Sequence, residues 1–234
     1  MKHVYVCLVL VFICAKSISQ PLIAGAFSLS GTVKVPYTGK VFLTYFDYSQ
    51  NKSISDSTPL LNQRYAFKGY FKEPVTATLY FTPADSSKAN QMNSVYFLLL
   101  EPGSIQVETG KYMSEMKVSG STTYNEYVAF QQKDRKYLQK IDSCRFYVSQ
   151  FQKKKDSIQV AKYNSGILQI QQEQLENLYR KEVLLKKNSM FSLFILQRML
   201  QMKYDKIQLN LLFQQLALRI KNTAAAKNLK LRFK

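Results

Sequence analysis

The stretch Val118-Ser-Gly-Ser-Thr-Thr-Tyr-Asn-Glu-Tyr-Val-Ala-Phe130 divides the chain into two differently patterned halves. Upstream, apolar residues alternate and turn signals recur, as in β-structure. Downstream, the period becomes helical and the charge strongly positive. Within the stretch, Gly120 and Ser121 form a break. Thr123 followed by Glu126 has capping-box spacing, in which the hydroxyl accepts an amide of the first turn and the carboxylate reaches back. The expected class is α+β: an N-terminal antiparallel β-sandwich or partly open barrel over residues 20–120, then a C-terminal α-helical bundle or hairpin over 121–222. A short basic tail, 223–234, follows and is read as frayed.

Working upstream, Phe27, Leu29, Val33 and Val35 share a parity around Gly31, and Pro36 to Gly39 reads as a turn before the strand Lys40–Asp47. Residues 51–59 are rich in Ser, Asp and Thr and read as a loop. Strands are expected at Arg64–Phe71, Val75–Thr82, Val95–Glu101, Ser104–Glu108 and Met116–Val118, with a loop over 83–93. The apolar run Tyr96–Leu100 suggests a central strand buried on both faces. The many Tyr and Phe residues are read as core and cross-strand pairs rather than a ligand platform.

Downstream, Tyr127, Phe130, Asp134, Tyr137, Ile141, Cys144, Val148 and Phe151 follow 3-4 spacing and predict a long amphipathic helix. Cys144 falls on its apolar stripe and reads as a small buried hydrophobe. Lys153-Lys-Lys-Asp156 is a solvated stretch and Asn164-Ser-Gly166 a break. A second helix is expected over Ile167–Lys187, a third from Ser189 as N-cap through Met190–Met202, and a fourth from Asp205 through Ile220.

The chain has 234 residues, 46% of them hydrophobic, which is enough to bury a core and argues against disorder. Residues 1–19 have the form of a secretory signal: Lys2 and His3, an apolar run Val4–Ile13, and Ser17-Ile-Ser19 before a cleavage site at Gln20. The run is too short to span a bilayer. A lipoprotein signal with Cys14 as the lipid-bearing residue is the less favoured reading, because Phe12 and Ile13 are bulky there. Cleavage removes His3, Cys7 and Cys14 and leaves Cys144 as the single cysteine. That excludes an internal disulfide, a His-containing catalytic triad and a His-containing metal site in the mature chain. No catalytic, cofactor-binding or metal-ligating residues are assigned, no cofactor is expected, and no carboxylate pair is singled out by spacing. Residues 20–120 carry nine Lys/Arg against seven Asp/Glu, and residues 121–234 carry 22 against eight, so nearly all of the +18 lies in the helical half. Lys153, Lys154, Lys155, Lys186 and Lys187 form the candidate basic surface.

The order Phe27-x-Leu-x-Gly31, Lys40-Val-Phe-Leu-x-Tyr45, Asp56-Ser-Thr58, Tyr65-x-Phe-x-Gly69, Pro74, Tyr96-Phe-Leu-Leu-Leu-Glu101 and Val118-x-Gly-Ser121 resembles a β-rich domain of unknown function. That domain stands N-terminal to thioredoxin-like thiol–disulfide oxidoreductases of the bacterial cell envelope. The helix start at Thr123–Phe130 and, loosely, Asn188-Ser189 fit the helical insert of the same family. The resemblance implies an exported envelope protein with a thioredoxin-like domain beginning after the helical region. No Cys-x-x-Cys occurs here, so redox activity is not carried over. The expected function is a non-catalytic module for protein interaction or positioning, with another envelope protein as partner. The alternatives are a basic helical face for anionic envelope polymers (lipopolysaccharide, acidic glycans, phospholipid head groups) and the front half of an oxidoreductase. Nucleic acid is a less expected partner, and no segment after the signal is read as membrane-spanning.

Overall fold

The structure, a computed structural model, describes residues 24–85 and 95–233. Residues 1–19, read as a signal, with His3, Cys7 and Cys14, and most of the 83–93 stretch read as a loop lie outside the described residues.

Two open four-stranded sheets face one another. The first has the order β4 (Arg64–Phe71), β1 (Gly25–Val33), β7 (Gly103–Thr109), β8 (Lys117–Ser119). The second has the order β3 (Lys52–Pro59), β2 (Gly39–Asp47), β5 (Val75–Pro83), β6 (Val95–Leu100). Pairing is antiparallel except between β1 and β7, which run parallel. The parity read in the sequence is what packs: Phe27, Leu29 and Val33 of β1 meet Val41, Leu43, Leu79 and Phe81 in one core. Gly31 is required in that layer. The Tyr65 ring lies so close that a Cβ at Gly31 would stand 1.9 Å from its Cζ.

Two strand readings change. Residues 52–59 are not a loop but the edge strand β3, paired with all of β2 from Asp47↔Lys52 to Lys40↔Pro59. None of its residues is buried, so it carries no hydrophobic alternation. Backbone pairing and one side-chain bond, Thr44 Oγ1 to Ser55 Oγ at 3.1 Å, hold it, and Lys52, Asp56 and Pro59 suit an edge. The second change concerns β6, which is the last strand of its sheet rather than a central one. Its Leu98, Leu99 and Leu100 are buried because helices, not a further strand, cover it, with Phe97 against Tyr127 and Phe194.

The helical half begins with α1 (Thr122–Lys153) and α2 (Ser157–Gln174). It continues through a π-helical turn Leu175–Arg180 into α3 (Lys181–Leu185), then α4 (Phe191–Gln201), α5 (Lys206–Gln214), α6 (Leu218–Lys221) and α7 (Ala224–Leu231). Asp205 caps α5 as expected, accepting from the Gln208 amide at 2.8 Å. The expected break at Asn164-Ser-Gly166 does not occur, since α2 runs through it. Gly166 faces Cys144 from within α2, with 3.9 Å from its would-be Cβ to the sulfur, an ordinary contact distance, so it makes no turn and the site has room for a methyl group. The tail read as frayed is instead a docked helix. Thr223 caps α7, and Ala226, Leu229 and Phe233 are buried.

Candidate interaction surface

The start of α1 is built differently from the expected capping box. Ser121, not Thr123, is the N-cap; its Oγ accepts from the Tyr124 amide at 3.1 Å and donates to the Leu99 carbonyl at 3.1 Å. The acid at the helix end is Glu101, from the β6–β7 turn. It accepts from the Thr122 and Thr123 amides and, at 2.5 Å, from the Thr123 hydroxyl. Glu126 turns the other way, accepting from the Ser189 hydroxyl and pairing with Lys186 at 3.2 Å. A buried carboxylate from the sheet thus satisfies the orphan amides of the helix and favours its dipole.

The same device recurs at α7. Glu73, in the β4–β5 turn, accepts from the Ala224 and Ala225 amides at 2.6 and 2.8 Å. Burial lifts its carboxyl above the ordinary carboxylate range, against the two amides and Lys227, which favour the ionised form. Between these clamps a small apolar cavity of ≈ 60 Å³ lies in the seam, with Leu99, Leu100, Phe194 and Leu229 among its walls.

Beyond the seam, α1 and α2 leave the body as an arm. The 32 residues of α1 extend about 48 Å at 1.5 Å per residue. Its buried residues end at Ile141, and α2 has none before Gln174. Residues 142–173 are therefore a two-helix projection with a thin seam of its own, formed by half-buried Cys144, Val148 and Phe151 against Val160, Tyr163 and Ile167. Several large apolar residues face outward: Phe146 is 59% exposed, Ile158 79% and Leu168 68%. At the tip, Lys155 takes a left-handed conformation (φ 56°) that ends α1, and Asp156 caps α2 by accepting from the Gln159 amide at 3.0 Å.

At the arm's root lies a buried polar group. Asp134 on α1 accepts from the Gln174 amide nitrogen at 2.6 Å and from the Tyr179 hydroxyl at 3.3 Å. Burial raises the Asp134 carboxyl above its ordinary range despite these bonds and nearby Arg198, and pushes the Tyr179 hydroxyl up to about 12. Tyr179 belongs to the π turn, whose wider spacing lets the chain leave the arm and rejoin the body. Sequence reading placed Asp134 on the inward stripe but gave no signal for its partners, which lie 40 and 45 residues away.

The five lysines read as one basic surface are not together. Lys153, Lys154 and Lys155 occupy the arm's tip. Lys186 pairs with Glu126, 27 residues earlier on α1 than Lys153 and about 40 Å away along the axis. The Lys187 carbonyl accepts from the Ala217 amide at 3.0 Å, within the body. A second surface is an open cleft of ≈ 860 Å³ over the outer face of the β4-β1-β7-β8 sheet. There Arg64, Thr32, Glu108 and Lys117 share one rung, and Lys34 pairs with Glu108 at 2.6 Å. Among the described residues no helix is long and apolar enough to cross a membrane, and no three His, Cys, Asp or Glu side chains gather in metal-binding range.

No curated protein and no solved structure matches the chain. Residues 27–127, which take in the sandwich and the first residues of α1, match the family described as a domain of unknown function (DUF4369).

Proposed function

We propose that this chain is an exported, non-catalytic cell-envelope module in which a β-sandwich carries a helical arm that binds and positions another protein. The observation that carries this reading is the arm. A 32-residue stretch contributes no buried side chain to the body, yet it exposes Phe146, Ile158 and Leu168. Apolar side chains displayed on a projecting element add nothing to the fold's stability and suit a contact with something else. The signal-like residues 1–19 support export. The likeness of the sandwich to the accessory region of thioredoxin-like oxidoreductases supports a place in the envelope beside such a domain, whether as its front half or as a separate partner. A second reading, binding of anionic envelope polymers, is favoured by the lysines at the arm's tip.

The test replaces residues 142–172 by a short Asn-Gly-containing turn that joins the two helices near their roots. Photo-crosslinkers placed on the body of the intact and shortened proteins, exported in cells, then report the complex. Loss of the crosslinked protein from the shortened form is the expected outcome. Unchanged crosslinking would remove the arm from the function, and retention of lipopolysaccharide alone by the intact form would favour the polymer reading.

A further inference from the structure

We infer that the distal arm recognises an acidic, partly apolar protein surface. The inference rests on the arm being the docking element and adds the chemistry of its partner. Residues 142–173 contain five Lys/Arg and three acids, Asp142, Asp156 and Glu173. All three acids are engaged locally: Asp142 pairs with Arg145 at 3.2 Å, Asp156 caps α2, and Glu173 accepts from the Gln169 side-chain amide at 3.4 Å. The arm thus carries a net +2, and among the described residues Lys153, Lys154, Lys155 and Lys162 stand outside its ion pair. Three of these lysines, 153 to 155, sit at the tip, and Lys154 and Lys162 stand 5.8 and 6.0 Å from the rings of Phe151 and Tyr163. Tyr147, Tyr163 and Phe151 form one stack across the two helices, with centroids 4.9 and 5.6 Å apart and planes within 19° and 16°. Phe146 closes on the edge of Tyr147 at 5.6 Å. The tip is therefore an aromatic plate, stiffened by its own stacking and ringed by cations.

Three other occupants fit less well. Two copies of the arm would bring like charges together. Bases of a single-stranded nucleic acid need free ring faces, whereas both faces of Tyr163 are taken by its neighbours. A bilayer presents one plane, but the apolar side chains point in opposed directions. Phe146 lies two positions from inward-facing Cys144 and Val148, and Leu168 lies two from Gly166 and Ile170. Each is thus about 200° around its helix from the seam, and the two point away from one another. A protein surface with a groove can hold both sides at once and set carboxylates against the lysines.

The chain contains no tryptophan, so Phe146→Trp places a single reporter on the patch. The probes are a 20-residue helical peptide with Glu and Leu on opposite faces, its Lys-for-Glu counterpart, phosphatidylglycerol vesicles and an oligothymidine strand. A saturable change in Trp emission with the Glu/Leu peptide alone is expected. That binding should weaken on the order of tenfold when Lys153, Lys154 and Lys155 are all changed to Glu, or when salt is raised to about 0.5 M. No saturable change with the Glu/Leu peptide, or tighter binding of vesicles or oligothymidine, overturns the inference. The two levels separate cleanly. If the docking reading fails, shortening the arm leaves the cellular complex intact. If only the acidic partner is wrong, the complex still needs the arm but ignores the triple charge reversal.

Discussion

The Tyr65 hydroxyl is buried with no hydrogen-bond partner among the described residues, while its ring fills the space that Gly31 leaves open. A buried, unsatisfied hydroxyl costs more than it returns, so Tyr65→Phe should keep the packing and raise stability by about 1 kcal/mol in denaturant unfolding. A loss of stability would mean that the hydroxyl has a partner. Asp134 offers a pH test. Its carboxyl titrates above the ordinary carboxylate range in the folded chain, so between the unfolded and folded values the folded state holds more protons. Its contribution is therefore fully present below the unfolded value and is lost as pH rises through the folded one. Glu73 acts in the same direction. Asp134→Asn keeps an acceptor for the Gln174 amide and cannot ionise. The difference in unfolding free energy between variant and parent should thus grow in the variant's favour as pH rises just past the carboxylate range; a pH-independent difference would contradict the assignment.

At the scale of elements, the arm and the body should separate energetically. Because residues 142–173 bury nothing against the body, the shortened protein is expected to unfold within a few degrees of the parent in a thermal melt. A large drop would place the arm in the core. How legible the elements were follows from the same burial pattern. Strands with one buried face, such as β1 and β5, show their period in the sequence. β3, with no buried residue, shows none, because it is held mainly by backbone pairing with β2. The cap of α1 was legible to within two residues, but its acid was not: Glu101 lies 21 residues from the Thr122 amide it meets, and only the fold brings them together. Gly166 was misread for the converse reason. Glycine signals a turn in isolation but is tolerated inside a helix whose neighbours keep packing on a partner, as α2 does on α1. The arm's lysines were visible as charge, while their separation from Lys186 depended on α1 being unbroken.

For the whole molecule, composition suggested two regions that differ in charge, whereas the buried residues form one connected cluster from Phe27 to Phe233. Glu101 and Glu73 tie strand turns to the beginnings of α1 and α7, so the two regions are bonded across their seam as well as packed. Calorimetry should accordingly record a single cooperative transition rather than one for each region; two resolved transitions would show that the clamps and the shared core do not couple them. The family match ends at Tyr127, so the element proposed to meet a partner is the part of α1 and α2 that lies past the matched residues.

The π turn at Leu175–Arg180 also makes the direction of the arm a matter of phase. A π turn holds one residue more than the α spacing, so deleting a single residue there would return the helix to regular winding. Every side chain of α2 on the tip side would then rotate by about 100° relative to α3. The present packing of α2 on α1, including the Tyr163 stack, and the present junction with α3 could then not both be kept. Which way the arm presents its apolar residues is thus set by a length, one residue in the chain, as firmly as by the identity of any side chain it displays.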